Sequence, residues 1–184
     1  MRVVISGVAG VGKSTVLEIV KKRSNYDIIN FGTLMYEMAR DIKLVSNRDE
    51  LRKLNIDTQI NLQKKASSAI GHMNDVIIDT HMSIKSPRGY LPGLPEWVLR
   101  ELKVSSYFVL EADPETIKAR RELDGTRSRD EDKVNEIREH QEINRYYAAA
   151  YSVYTGATVN YITNVEGKPE VAAEKIVGRL MFVG

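Results

Sequence analysis

The eight residues Gly7–Ser14 constrain this chain more than any other stretch. Their sequence, Gly-Val-Ala-Gly-Val-Gly-Lys-Ser, matches the pattern G-x-x-x-x-G-K-[ST] of a phosphate-binding P-loop. The apolar, β-branched residues 2–6 precede the loop, and residues 15–22 follow it with a helical pattern, which is the strand–loop–helix context that a P-loop requires. A chance match at the fixed positions is expected in on the order of one chain in a hundred, and the flanking elements reduce that further.

The loop and its flanks predict a binding site for a nucleoside triphosphate. Glycine residues let the backbone turn so that successive N–H groups point at phosphate oxygens, and the positive end of the helix dipole adds to this attraction. We expect Lys13 to bridge the β- and γ-phosphates and the Ser14 hydroxyl to ligate Mg²⁺.

Length and composition limit the classes of protein to which this chain can belong. The 184 residues fit one domain with its own core, and 42 % hydrophobic with 28 % charged residues is ordinary for a soluble globular protein. The absence of cysteine excludes disulfides and Cys-ligated zinc, and it fits a cytoplasmic protein. We expect no membrane span and no signal peptide, because no apolar run approaches ~18 residues and the first strand follows Met1 directly. The net charge of +2 gives no reason to expect nucleic-acid or membrane partners.

Apolar runs alternate with helical patterns along the whole chain. Short β-branched runs predict four more strands, at residues 26–30, 76–80, 104–110 and 158–162. Apolar spacing predicts helices at residues 34–40 (with Thr33 as N-cap), 50–72, 96–102, 114–123 (with Asp113 as N-cap), 131–154 and 170–181, and residues 81–95 form a long Pro- and Gly-rich loop. This alternation predicts an α/β fold with a doubly wound, five-stranded parallel sheet covered by helices on both faces.

Asp79 closes the third predicted strand. Ligands of parallel α/β sheets bind at the carboxyl ends of the strands, so Asp79 is expected to face the P-loop and hold Mg²⁺ directly or through water. The alternative is a structural carboxylate that caps a helix or bonds to a loop.

Closely spaced arginines follow the fourth strand. Arg127 and Arg129 lie in the polar stretch 125–130, which has no apolar anchor and is suited to close over a γ-phosphate and exclude water. The alternative is a solvated salt-bridge surface, because acidic residues interleave with both arginines, and for Arg121 and Arg138 we favour that alternative.

A second basic set lies between the second and third strands and suggests a site for an acceptor phosphate. It comprises Arg40, Arg48 and Arg52, and Lys85 and Arg88 in the following loop are further candidates. A generic ion-pair role is nearly as plausible for each of them.

Several other motifs have distinctive sequences. They are Asn30-Phe31-Gly32 with Met35, Asn47-Arg48-Asp49-Glu50-Leu51-Arg52-Lys53-Leu54, Asp79-Thr80-His81, Gly89-Tyr90-Leu91-Pro92-Gly93-Leu94-Pro95, Leu110-Glu111-Ala112-Asp113-Pro114, Arg127-Ser128-Arg129-Asp130 and Asn164-Val165-Glu166-Gly167. Together with the P-loop at the extreme N-terminus, they resemble the archaeal type of adenylate kinase over nearly the full length of the chain. The string after Asp-Thr-His is the most discriminating, because generic P-loop proteins lack it.

The resemblance implies reversible, Mg²⁺-dependent transfer of the ATP γ-phosphate to AMP, within one nucleoside monophosphate kinase domain over residues 1–184. It implies an AMP-binding helical region at about 31–74, a short lid at about 124–132 and a homotrimer. The implied catalytic residues are Lys13, Arg127, Arg129 and Arg145. The implied ATP-binding residues are Gly7, Val8, Ala9, Gly10, Val11, Gly12, Lys13, Ser14, Thr15, Arg120 and Val165. AMP is assigned to Gly32, Arg52, Asp79 and Arg88, and the metal to Ser14 and Asp79. Lys85 stands near a point where family members can carry Arg, and Arg88 is the residue that could take over its role.

Three rival functions stay open at this point. A P-loop kinase for another small acceptor, such as a different nucleoside monophosphate or a shikimate-like compound, differs only in its acceptor contacts. A GTPase-type switch requires N-K-x-D and D-x-x-G motifs, which Asn164–Gly167 and Asp79–Met82 do not match. A nucleotide- or RNA-binding module without turnover is disfavoured by the modest charge and by the lack of an aromatic and basic strand pattern.

Overall fold

A computed structural model describes residues 1–123 and 133–182, apart from the side chain of Arg52. Its strands are β1 (Arg2–Ser6), β2 (Asp27–Asn30), β3 (Val76–Asp79), β4 (Ser83–Ser86), β5 (Gly89–Pro92), β6 (Ser106–Glu111) and β7 (Thr158–Thr163). Its α-helices are α1 (Lys13–Arg23), α2 (Phe31–Asp41), α3 (Ile56–Gly71), α4 (Glu96–Leu102), α5 (Pro114–Leu123), α6 (Val134–Thr155) and α7 (Pro169–Leu180).

Five parallel strands form the central sheet in the order β2-β3-β1-β6-β7. The predicted five-stranded, doubly wound parallel sheet is therefore confirmed. β1 occupies the middle of the sheet, so the P-loop that follows it opens at the centre of the carboxyl edge, where ligands of such folds bind.

Alternation along the strands divides the core into two layers. Val3 and Ile5 pack on one face of the sheet with α1 and α7, while Val4 packs on the other face with α3, α4 and the end of α6. The residues of the central strands β3, β1 and β6 are mostly buried on both faces, which explains their continuous apolar runs, whereas the edge strands β2 and β7 are partly exposed. Both layers fix β1, and with it the start of the P-loop.

The helix predicted over residues 50–72 is wrong in its first part. Residues Arg48–Lys53 form a 3₁₀-helix instead, and α3 begins only at Ile56. Two asparagines interrupt the helix, because Asn47 Oδ1 accepts from Glu50 N at 3.2 Å and Asn55 Oδ1 accepts from Thr58 N at 2.9 Å. Asparagine is a strong N-cap, and each cap starts a new element.

The start of α2 also differs from the prediction. The helix begins at Phe31, and Asn30 is its N-cap in place of Thr33. Asn30 Oδ1 accepts from the Thr33 backbone N–H at 2.9 Å, so the strand passes directly into the helix.

The long loop predicted over residues 81–95 contains an antiparallel hairpin of β4 and β5. Gly89 takes a left-handed φ of +112° at the turn, and Ser86 Oγ donates to the Gly89 carbonyl at 2.8 Å. The predicted lid at 124–132 lies outside the described residues. Among the residues that the structure describes, no helix is long and apolar enough to cross a membrane.

Candidate active site

The P-loop forms a tight turn at the carboxyl end of β1. Gly10 and Gly12 have left-handed φ values of +81° and +87°, which side chains rarely adopt. A Cβ on Gly7 would lie 2.8 Å from Val11 Cγ1 and 2.9 Å from the Leu110 carbonyl oxygen, so the loop starts in close contact with β6. Val8 and Val11 are buried in the core below the loop. The loop geometry therefore depends on glycines at three positions and on two buried valines.

Three side chains hold the carbonyl groups of the P-loop from outside. Arg120 Nη1 donates to the Val11 carbonyl at 3.1 Å, Arg121 Nε donates to the Ala9 carbonyl at 2.8 Å, and Asn164 Nδ2 donates to the Val11 carbonyl at 2.8 Å. Because the carbonyls are bonded outward, the loop is fixed on that side. The structure thus brings Arg120 to the P-loop, while Val165, next to Asn164, is about half exposed.

Lys13 is the first residue of α1 and contacts the end of β3. Its Nζ forms an ion pair with Asp79 Oδ1 and donates to the Thr80 carbonyl at 3.2 Å. Both side chains are mostly shielded from solvent, so a phosphate that binds Lys13 has to compete with the carboxylate. Lys13 and Asp79, which were predicted to share the site, are therefore in direct contact.

Asp79 also contacts the acceptor side of the site. Asn30 and Asp79 end the neighbouring strands β2 and β3 and are paired in register. Asn30 Nδ2 donates to Asp79 Oδ2 at 2.9 Å, and Asn30 Oδ1 accepts from Arg48 Nη2 at 3.3 Å. A Cβ on Gly32 would lie 3.0 Å from Arg48 Nη2, so the predicted acceptor residue Gly32 is next to a basic side chain.

Arg145 lies on α6 and is held by the end of β6. Its Nε and Nη2 donate to the two carboxylate oxygens of Glu111, both at 2.5 Å. The hydrogen bonds that Arg145 donates to Glu111 raise the pKa of its guanidinium above its usual value. The guanidinium carbon also lies 5.4 Å from the centre of the Tyr161 ring. Glu111 is buried whereas about half of the Arg145 side chain is exposed, so the arginine has an open side.

Ser14 and Asp79 supply the donor atoms that fit Mg²⁺. A hydroxyl and a carboxylate are the hard oxygen ligands that this ion prefers, and Mg²⁺ in kinases is held by few protein ligands together with substrate phosphates. In the described part of the chain, no three His, Cys, Asp or Glu side chains converge as a metal cluster. The donor set therefore fits a metal that arrives with its phosphates.

The remaining predicted residues are more dispersed. Thr15 is exposed on the first turn of α1, and Arg88 is exposed in the turn of the β4–β5 hairpin. Lys85 Nζ forms an ion pair with Glu136 at 2.7 Å, which ties the hairpin to α6. The backbone of Arg52 lies in the 3₁₀-helix, but the structure does not describe its side chain. Arg127 and Arg129 lie outside the described residues.

Sequence reasoning gave no individual role to Asn30 and Glu111, and it gave Asn164 only a place in the turn Asn164–Gly167, which the family resemblance puts beside the ATP adenine. Each one ends or directly follows a strand of the parallel sheet. That position was the available signal, because the carboxyl ends of parallel strands meet at the ligand edge.

Comparison with known proteins identifies the family of this chain. Residues 6–138 match a family model described as an AAA domain. An adenylate kinase of Thermoplasma acidophilum is 63 % identical over 177 residues, which cover 96 % of this chain and 97 % of the relative. An adenylate kinase of Thermoplasma volcanium is 59 % identical, with coverage of 96 % and 98 %. An adenylate kinase of Methanococcus aeolicus is 43 % identical over 188 residues, with coverage of 98 % and 97 %.

Solved structures are similar in fold at low sequence identity. A shikimate kinase of Acinetobacter baumannii in complex with shikimate has a TM-score of 0.64 at 14 % identity, covering 98 % of this chain and 92 % of that one. A shikimate kinase of Aquifex aeolicus has a TM-score of 0.60 at 19 % identity, with coverage of 98 % and 96 %. These similarities describe the architecture of a P-loop kinase and carry no information on the acceptor.

Proposed function

The chain belongs to the adenylate kinase family, and we propose that it transfers the γ-phosphoryl group of Mg²⁺-bound ATP to AMP, giving two ADP in a reversible reaction. The observation that carries this proposal is the 63 % identity to a Thermoplasma adenylate kinase over nearly the whole of both chains. The placement of Lys13 and Asp79 beside a glycine turn supports this proposal, because phosphoryl transfer needs fixed positive charge and a metal ligand near the phosphates.

On the donor side, residues Gly7–Thr15 would bind the ATP phosphates through backbone N–H groups and Lys13. Lys13 would exchange its ion pair with Asp79 for the phosphates and neutralise charge on the transferred group. Ser14 and Asp79 would hold Mg²⁺, which supplies further positive charge at the phosphates when bound. Arg120, which contacts the loop, and Val165 would lie near the nucleoside of ATP.

On the acceptor side, residues at about 31–74 would bind AMP, with Gly32, Arg52, Asp79 and Arg88 as the proposed contacts. The proximity of Gly32 to Arg48 supports a phosphate at this end of α2, because the helix terminus and the guanidinium both attract anions. Phosphate is itself the nucleophile, so the reaction needs positioning and charge neutralisation more than a general base.

The arginines complete the proposal. Arg127 and Arg129, in a lid at about 124–132, would close over the γ-phosphate and exclude water, which otherwise accepts the phosphoryl group. Arg145 would present the side of its guanidinium that Glu111 does not occupy. We further propose one kinase domain over residues 1–184, a homotrimer and a cytoplasmic location.

A coupled assay with ATP, Mg²⁺ and a panel of acceptors tests this function. We expect rapid formation of ADP with AMP, loss of turnover when Mg²⁺ is chelated, and slow turnover with CMP, UMP or shikimate. Preferred turnover with one of the other acceptors would assign a different kinase activity, and steady hydrolysis without any acceptor would contradict the transferase.

A further inference from the structure

A continuous chain of polar contacts crosses the carboxyl edge of the sheet from the P-loop to α2. Lys13 Nζ is paired with Asp79 Oδ1, and Asp79 Oδ2 accepts from Asn30 Nδ2 at 2.9 Å. Asn30 Oδ1 in turn accepts from the Thr33 backbone N–H at 2.9 Å, from Thr33 Oγ1 at 3.0 Å and from Arg48 Nη2 at 3.3 Å. One planar amide therefore links the donor side to the acceptor side.

The register of the sheet makes this link short. Asn30 and Asp79 are paired residues at the ends of β2 and β3, and Asp79 is also paired with Ile5 of β1, directly before the P-loop. Asp79 ends a strand that is paired on both sides, and Asn30 ends an edge strand whose backbone is paired with β3 along its whole length. The Asn30 amide can therefore respond to Asp79 only by a change at its own side chain or in α2.

A bound triphosphate changes the charge that Asn30 meets. When the triphosphate binds without Mg²⁺, its oxygens compete with Asp79 for Lys13, and the carboxylate then loses its ion-pair partner. A hydrogen bond to an uncompensated carboxylate is stronger than one to a neutralised carboxylate. The bond from Asn30 Nδ2 to Asp79 Oδ2 should therefore tighten when the donor site fills.

The carbonyl oxygen of the Asn30 amide, Oδ1, caps the first turn of α2. Nδ2 and Oδ1 belong to one rigid plane, so a tighter bond at Nδ2 also fixes Oδ1 against the Thr33 N–H and Arg48. These two groups stand where we propose that the acceptor phosphate binds. Ordering them before the acceptor arrives lowers the entropy cost of its binding.

We propose that Asn30 is a positioning residue that couples the two nucleotide sites, so that a filled donor site strengthens acceptor binding through Asp79 and α2. The inference rests on the proposed function for the identity of the acceptor, AMP. Coupling of this kind is reciprocal, and two sites linked in this way typically change each other's affinity about fivefold or more.

Two substitutions separate coupling from simple capping of α2. Asn30→Ser keeps a good N-cap but removes the donor to Asp79, and Asn30→Asp keeps the cap acceptor while placing a second carboxylate against Asp79. Asn55→Ser is the matched control, because Asn55 caps α3 with the same 2.9 Å bond to a backbone N–H three residues on. A purely structural role for Asn30 predicts that all three variants behave alike.

The test is calorimetric binding of AMP with and without a nonhydrolysable ATP analogue, in metal-free buffer. For the unchanged protein and Asn55→Ser, we expect the analogue to tighten AMP binding about fivefold. For Asn30→Ser and Asn30→Asp, we expect that enhancement to fall below about twofold, with α2 helicity retained by circular dichroism. Full enhancement in both Asn30 variants, or an equal loss in Asn55→Ser, would overturn the proposal. So would an unchanged protein that binds AMP equally well with and without the analogue.

Turnover distinguishes failure of the coupling from failure of the proposed function. If the unchanged protein and Asn55→Ser phosphorylate AMP but Asn30→Ser shows normal coupling, only the inference fails. If the unchanged protein neither binds nor phosphorylates AMP, the proposed function fails. We expect Asn30→Asp to raise KM for AMP measured at saturating ATP more than it lowers kcat, because its effect is on acceptor binding.

Discussion

The two sides of the site are held by different kinds of contact. On the donor side, the P-loop rests on buried Val8 and Val11, and Arg120, Arg121 and Asn164 hold its carbonyl groups. On the proposed acceptor side, α2, the 3₁₀-helix and α3 surround a small cluster away from the sheet, while Phe31 of α2 and Ile70 of α3 pack in the main core. The buried members of the small cluster are Ala39, Val45 and Leu62.

This difference in supporting contacts predicts how much each side of the site changes when its ligand binds. The proposed donor loop takes its shape from the main core, whereas the proposed acceptor elements start at capping asparagines and pack in the main core along only part of their length. Segments with few buried apolar contacts open locally at lower free energy. We therefore expect a preformed donor side and an acceptor side that adjusts on binding.

The largest expected effect comes from removing the positive charge of Lys13 from the donor side. Lys13→Met should lower kcat by about 10²- to 10³-fold, because it removes a fixed cation from the developing phosphoryl charge. Lys21→Met, on the exposed last turn of the same helix, is the control and should leave kcat unchanged. Similar kcat values for the two variants in the coupled assay would remove Lys13 from the mechanism.

The proposed lid gives the next largest effect. Arg127→Ala should lower kcat by about 10²-fold if its guanidinium stabilises charge in the transition state. Arg138→Ala serves as the control, since Arg138 is exposed on α6 and its Nη1 donates to Asn135 Oδ1 at 2.8 Å. A normal kcat for Arg127→Ala would return that residue to a solvated salt-bridge surface.

A pair of glycine substitutions compares the two sides for stability. Gly12→Ala should cost about 2–4 kcal/mol of unfolding free energy, because φ is +87° and the new Cβ would lie 2.5 Å from Asn164 Nδ2. Gly89→Ala, in the hairpin, should cost about 1 kcal/mol, since φ is +112° but nothing lies within 4 Å. Equal costs in urea unfolding would contradict the tighter packing of the donor loop.

Substitution of Tyr151 tests how the β4–β5 hairpin is attached to the core. Its buried hydroxyl donates to the Met82 carbonyl at 2.8 Å and accepts from Leu94 N at 3.2 Å. Tyr151→Phe leaves both groups without this partner and should cost about 1–3 kcal/mol at pH 7. Tyr154→Phe, whose hydroxyl bonds to Glu96 at an exposed site, should change stability by less than about 0.5 kcal/mol.

The same variant has a predicted pH dependence. Burial raises the pKa of Tyr151 in the folded protein above its unfolded value of about 10. The contribution of the neutral Tyr151 hydroxyl to the free energy of unfolding is therefore complete below about pH 10 and is lost as pH rises above that value. The stability difference between Tyr151→Phe and the unchanged protein should shrink between pH 9 and pH 11, and a constant difference in urea unfolding would contradict this.

The smallest expected effect concerns Lys85. Its half-exposed ion pair with Glu136 should contribute about 0.2–1 kcal/mol, and less at high salt. Lys85→Met should leave KM for AMP nearly unchanged, whereas Arg88→Met should raise it if Arg88 contacts the acceptor phosphate. The reverse order of KM values would assign the acceptor contact to Lys85.

The sequence predicted the sheet well because its central strands β3, β1 and β6 are buried on both faces and read as continuous apolar runs. The β4–β5 hairpin escaped prediction, since Ile84 and Leu91 are exposed there and Pro and Gly interrupt the pattern. The break before α3 escaped because Asn55 acts through a local cap that apolar periodicity does not detect.

Some features of the candidate site were likewise predictable from the sequence, and others were not. The P-loop was predictable because its chemistry lies in one short motif, and Asp79 because it ends a strand. The contact of Asn30 with Asp79 required the register of β2 against β3, which joins residues 49 positions apart. The pairing of Arg145 with Glu111 likewise depends on how α6 packs beside β6.

Native-state hydrogen exchange on the nucleotide-free protein tests the contrast between the two sides most directly. We expect the backbone amides of β1 and α1 to exchange at least about 100-fold more slowly than those of α2, and AMP to slow exchange in α2 but not in α1. Amides of α2 that exchange as slowly as those of α1 before any ligand is added would contradict an acceptor side that adjusts on binding.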